Sequence, residues 1–200
     1  MGYWEHRKPV IRSRAIDVGD LARAAAALLD AGGLRSLTLR AVASQLDVAP
    51  ASLYSRVASV DDLFDLALDR ALADDPAIDT AVRDADLMDL MLTYYRHLVR
   101  HPWAPQVIAW RAPRGPSYIR LSERMIALLT DAGSSDPLTS AYILSNFVIG
   151  CATTAPMAVN EAATEIDRDV APLYARAHAR HAVDPEAVVG TGLRRLLSRP

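Results

Sequence analysis

The stretch Thr38–Val57, TLRAVASQLDVAPASLYSRV, decides how the chain is read. It fits two short amphipathic segments around a tight turn. Leu39, Val42, Ala43 and Leu46 fall at spacings 3, 4 and 7, one face of a 3.6-residue helix, and Thr38 is placed to cap that helix's free N–H groups. Asp47 and Val48 interrupt the periodicity. Pro50 suits the first turn of a second helix, where its missing N–H would have no intrahelical partner anyway. The second segment offers Val48, Leu53 and Val57 inward, leaving Pro50, Ala51, Ser52, Tyr54, Ser55 and Arg56 outward. So short a helix cannot hold itself together in water; it leans on a neighbour and is there to be displayed. This is the pattern of a helix-turn-helix.

Working outward, Leu21, Ala24, Ala25, Leu28 and Leu29 form an apolar stripe over residues 17–31, stopped by Gly32 and Gly33. Ser59 with Asp62 resembles a capping box that opens a fourth helix, reaching about Ala73. Residues 1–15 carry Arg7, Lys8, Arg12 and Arg14 and read as a flexible basic arm; residues 16–60 read as the helix-turn-helix domain and 61–73 as a connecting helix. The acidic stretch 74–86, broken by Pro76, reads as a seam before a larger helical body spanning 74–200. Helices are expected there at about 86–100, 103–111, 117–132, 137–161, 168–182 and 185–198. No strand alternation and no internal repeat emerge, so the fold class is all-α: a three-helix helix-turn-helix head joined through a fourth helix to a larger helical body.

Composition narrows the function. Of 200 residues 51% are hydrophobic, ample for a core, and the net charge of −2 excludes a globally basic nucleic-acid binder; contact with DNA must come from a local patch. Cys151 is the single cysteine, which excludes an internal disulfide framework; its apolar neighbours suggest core. The N-terminal residues lack the apolar run of a secretory signal. Residues 137–160 carry no charge, yet six Ser, Asn, Thr and Pro residues among them make the stretch too polar for a comfortable lipid span of about 20 residues, so a protein-buried helix in a cytoplasmic protein is expected, without a membrane.

Leu37, Thr38, Val42, Ala43, Val48, Leu53, Tyr54, Arg56, Val57, Ser59 and Leu63 match, in order and spacing, the signature of the tetracycline-repressor (TetR) family of bacterial regulators. RHLVRHPWAPQVIAWRAPRGPSYIRL (96–121), the long helix and the closing VVGTGLRRLL (188–197) resemble that family's ligand-binding domain. Two positions depart from the pattern. Asp47 stands where the family usually has glycine, and Val60 where it usually has a phosphate-binding lysine. The resemblance implies a regulator, most simply a repressor released from a pseudo-palindromic operator by a small molecule. It implies no catalysis, and since the chain does not reproduce the polar and histidine set that tetracycline repressors use for drug and magnesium, neither that ligand nor a metal or cofactor is expected.

On this resemblance Thr38, Arg40, Pro50, Ala51, Ser52, Tyr54, Ser55, Arg56 and Ser59 are the expected DNA-binding set. Arg40 is the best candidate for guanine, since a guanidinium donates two hydrogen bonds to O6 and N7. The remaining members are phosphate or apolar partners. Two half-sites require a homodimer, expected through the helices near 137–161 and 185–198, with Ala141, Ser145, Gly150 and Ala152 permitting close approach. An effector pocket is expected from Met91, Tyr95, His97, Trp103, Trp110, Arg111, Tyr118, Asn146, Phe147 and Met157. Two rivals stand beside this reading: a binding protein of the same fold that has lost DNA recognition, and a metalloenzyme using the helical pairs His97/His101 or His178/His181.

Overall fold

The structure, a computed structural model, describes residues 2–6, 16–158, 164–180 and 184–198. Among them are eleven α-helices and no strand. The head consists of α1 (Val18–Gly32), α2 (Leu39–Gln45) and α3 (Pro50–Leu53), and α4 (Val60–Ala73) leads out of it. The body comprises α5 (Pro76–Asp84), α6 (Leu87–Arg100), α7 (Ala104–Trp110), α8 (Pro116–Asp131), α9 (Pro137–Thr154), α10 (Pro172–His178) and α11 (Pro185–Leu197).

Local chemistry sets most of these limits. Asp17, Thr38, Ser59, Asp75, Asp86, Asp136 and Asp184 each accept a backbone N–H at the start of a helix, satisfying donors that the first turn leaves orphaned. Residues 74–86 are not the broken seam expected from Pro76. The proline occupies the first position of α5, where it starts a helix instead of ending one, and Ile78 and Ala81 bury that helix. The expected long helix ends early, at Thr154, and Ala155–Met157 continues as a 3-10 turn around Pro156, which has no N–H for the α-helical ladder.

α4 is the mast of the molecule. α1 packs along one side of it, and α5, α7 and α8 meet the rest. Beyond it α6, α8, α9 and α11 pack together, with α9 held against α6 and α8 by Ala141, Leu144, Ser145, Val148 and Ala152. The small residues expected at a dimer contact are therefore largely spent on packing inside the chain; only Gly150 of the four is exposed. α9 is also no internal core helix. Leu138, Tyr142, Ile143 and Asn146 lie exposed on its other side, and Cys151 is half-buried. Pro137–Met157 is long and apolar enough to cross a membrane by length and composition.

At the N-terminus, Tyr3–Glu5 forms a 3-10 turn against α4 with Tyr3 buried, so residues 2–6 are seated where a free arm was expected. The Tyr3 N–H donates to Asp65 Oδ2 (2.8 Å) and supplies the anchor. The basic residues Arg7, Lys8, Arg12 and Arg14 lie outside the described residues.

Candidate functional site

The head builds a displayed face on an apolar underside. Thr38 Oγ1 accepts the Ala41 N–H (3.0 Å) and starts α2, and Asp47 turns the chain at φ 52°, a left-handed conformation that Asp tolerates better than most residues. Val42, Ala43, Leu53 and Val57 are fully buried beneath. Thr38, Arg40, Pro50, Ala51, Ser52, Tyr54, Ser55 and Ser59 are all exposed on the outside. Ser55 Oγ donates to the Ser52 carbonyl (2.7 Å), and Ser59 Oγ caps α4 by accepting the Asp61 N–H (3.1 Å). Asp62, the other half of the expected capping box, instead accepts the Ala58 N–H (2.6 Å).

Arg56 is the exception. It is only 6% exposed, and its Nε donates to the Ile16 carbonyl at 2.8 Å. Its inward direction fits its place three residues after buried Leu53, the same side of a helical turn, with the Arg56 and Val57 N–H groups both bonded to the Leu53 carbonyl.

Three carboxylates along α4 act as ties, Asp62 to the N-terminal turn and the start of α4 and Asp65 and Asp69 to the body, and none was among the expected site residues. Asp62 Oδ1 meets His6 Nε2 (3.1 Å). Asp65 receives Arg111 through two bonds, Nε to Oδ1 (2.8 Å) and Nη2 to Oδ2 (2.7 Å). The hydrogen bond to Asp65 holds the guanidinium of Arg111 above its ordinary pKa. Asp69 Oδ1 accepts the Ser117 and Tyr118 N–H groups at the start of α8, where a side chain on Gly115 would collide with the carboxylate. The spacing 62, 65, 69 is itself helical and was readable as a second stripe. On α1, Asp30 accepts from His101 Nδ1 (2.7 Å) and Trp103 Nε1 (2.6 Å), a second tie between head and body.

In the body a cleft of about 660 Å³, open to solvent, lies beside α6, the 3-10 turn and the start of α11. Thr93, Tyr95, Val99, Ala155, Pro156 and Pro185 give it apolar walls. Arg96 reaches from α6 to Glu186 of α11 at its edge.

The profile described as "Tetracyclin repressor-like, C-terminal domain" matches residues 83–188, more than half of the chain. The chain belongs to the TetR family. A curated HTH-type transcriptional regulator of Saccharopolyspora erythraea is 36% identical over 131 residues, covering 64% of this chain and 56% of the relative. The HTH-type transcriptional repressor DrrR1 of Streptomyces coeruleorubidus is 34% identical over 143 residues, covering 64% and 50%. The chain thus spans about half the length of these curated relatives. Among solved structures, the TetR family protein ActR of Streptomyces coelicolor in complex with actinorhodin superposes with a TM-score of 0.74 at 21% identity, covering 92% of this chain and 95% of that one. A possible TetR family regulator from the same species gives 0.77 at 23% identity, covering 90% and 97%.

Of the nine residues expected to meet DNA all but Arg56 are exposed, whereas the ten residues expected to line a pocket do not converge. Tyr95 lines the cleft, and Met157 a smaller neighbouring recess with Cys151 and Val188. Met91, His97 and Trp103 are core, Arg111 clamps Asp65, and Tyr118 meets the Tyr94 hydroxyl at 3.4 Å. Trp110 lies exposed with its ring against the edge of Phe64 (5.3 Å), Asn146 faces outward, and the Phe147 ring fills the space left by the missing side chain of Gly192. Trp103, Trp110, Arg111, Tyr118 and Phe147 meet partners on other elements, which helical spacing alone does not disclose.

His97 and His101 do not read as metal ligands. Each ring bonds a different carboxylate, Asp75 and Asp30, and among the described residues no group of three or more His, Cys, Asp or Glu is arranged to hold a metal. His178 is half-buried, and His181 lies outside the described residues. The His97 ring is buried with Nδ1 2.9 Å from Asp75 Oδ2 and Nε2 unpartnered. Burial, with the neighbouring His101 and Arg100 adding to it, pushes its pKa down to about 4 despite the Asp75 hydrogen bond. The ring is therefore neutral and donates Nδ1–H to the carboxylate. Burial alone would raise Asp75, but the His97 bond and the Arg100 charge outweigh it and hold that carboxyl below its ordinary value.

Proposed function

We propose that this protein is a cytoplasmic, homodimeric transcriptional repressor that leaves a pseudo-palindromic operator when a small molecule binds its body. The observation that carries the reading is the outward row of Thr38, Arg40, Pro50, Ala51, Ser52 and Tyr54, backed by buried Val42, Leu53 and Val57. In this reading α3 enters the major groove, Arg40 reads a guanine, Pro50 and Ala51 make apolar contacts, and Thr38, Ser52, Tyr54, Ser55 and Ser59 meet phosphates. Curated relatives named as HTH-type transcriptional regulators support it. So does family membership.

The second copy docks through the outer face of α9, where Leu138, Tyr142 and Ile143 stand uncovered, together with Val188 of α11. The effector enters the cleft beside α6. Tyr95, Arg96, Val99 and Arg100 line that cleft, and the next residue, His101, bonds Asp30 of α1. A ligand that prefers one position of the last turn of α6 thereby biases the position of the head, and the coupling is set by that preference. The ligand-bound solved structure of ActR gives this a precedent in fold.

Selection of bound duplexes from a random DNA library tests the proposal. Enrichment of a short pseudo-palindrome by a protein that sediments as a dimer supports it. Failure to bind any duplex even at low salt overturns it and favours the same-fold binding protein, for which Val60, half-buried where the family carries a phosphate-binding lysine, is the one specific observation.

A further inference from the structure

We infer that Arg56 is a positioning residue that sets the angle of α3, and that it makes no contact with DNA itself. The inference rests on α2 and α3 being the DNA-reading surface. With four residues, α3 has too few internal hydrogen bonds to define its own orientation. Leu53 and Val57 bury its underside, but apolar contact is non-directional and leaves rotation about the helix axis weakly restrained. Arg56 supplies a directional restraint. Its Nε–H meets the carbonyl of Ile16, 40 residues away in sequence and next to Asp17, whose carboxylate caps α1 through the Gly19 N–H (2.6 Å). The end of α3 is thus tied to the start of α1, the helix that packs most extensively on the mast. Arg56 is 6% exposed as a residue and its Nε–H has exchanged water for this partner, so swinging the side chain out to a phosphate would break that bond.

Two substitutions separate the roles, because the Gln amide nitrogen stands at the same point along the side chain as Arg Nε. Arg56→Gln keeps a donor there and removes the charge; Arg56→Met removes both. In the free protein, hydrogen exchange at the Arg56 and Val57 amides, both bonded to the Leu53 carbonyl, should rise at least tenfold in Arg56→Met relative to the amides of α6. It should stay within twofold of wild type in Arg56→Gln. On the duplex enriched by the wild-type protein, Arg56→Met should bind at least fivefold more weakly with an unchanged slope of log K against log salt, and Arg56→Gln should bind like wild type. A phosphate contact instead predicts that both variants lose about 0.9 of slope per subunit. Any result in which Gln behaves like Met overturns the inference, whether both are impaired or neither is. If the wild-type protein enriches no duplex, it is the reading of the head that fails, and the exchange measurement still decides whether Arg56 anchors α3.

Discussion

The head and the body use their side chains in opposite directions. α3 and the outer side of α2 turn nearly every polar group to solvent and keep only a thin apolar underside, Val42, Ala43, Leu53 and Val57, so the head takes its rigidity from α1 and α4. The body turns its aromatic and even ionisable groups inward: Trp103, Tyr94 and His97 are almost fully buried, and Trp103 Nε1 and His97 Nδ1 meet carboxylates 73 and 22 residues away. The difference teaches where mutations act. Substitutions on the face of the head should change recognition and leave folding alone, whereas substitutions at the ties between head and body should do the reverse.

The largest departure is expected at Asp65. Asp65→Ala strands the Arg111 guanidinium and the Tyr3 N–H at a site where both partners are mostly buried, and should lower unfolding stability by about 3–5 kcal/mol in urea titration. Asp61→Ala removes an exposed carboxylate 3.2 Å from the same arginine and should cost less than about 1 kcal/mol. Equal losses from the two would erase the distinction between buried tie and surface pair.

Next comes the pH response of the body. The native His97 has a pKa of about 4, below the ordinary 6.5, so between those values the unfolded chain binds the proton and the folded chain does not. Its contribution is complete above pH 6.5 and is lost as the pH falls to about 4, a change on the order of 3 kcal/mol. Thermal unfolding across this window should lose that dependence in His97→Gln. An unaltered profile would mean that the buried ring does not titrate in this way.

A small effect on stability is expected at Thr38, which caps a helix as well as standing on the face of the head. Thr38→Ala should cost about 1 kcal/mol of stability, since only the bond to the Ala41 N–H is lost.

The same contrast explains what was legible in the sequence. Thr38, Asp47, Pro50 and Ser59 were readable because each acts on backbone within a few residues of itself, as caps and turns do. The helices of the body were readable by periodicity, except that Pro76 opens a helix and Pro156 closes one, two roles that a proline carries equally well. Arg56 was misplaced although its spacing of three from Leu53 puts it on the buried side, because the group that receives it, the Ile16 carbonyl, stands 40 residues earlier. Trp103 fills the core where it was expected at a cavity wall, because its indole N–H is received by Asp30, 73 residues earlier. The α4 carboxylates carried a periodic signal, but their partners Tyr3, Arg111 and Ser117 are 46 to 62 residues away.

The most direct test of the central claim, that the exposed face of the head reads DNA sequence, is a position-by-position comparison of duplex preference for the wild-type protein and Arg40→Ala. The account predicts relaxed preference at one position in each half-site, worth about 1–3 kcal/mol, with unfolding stability unchanged. Uniform weakening on every duplex, or no change on any, would contradict it.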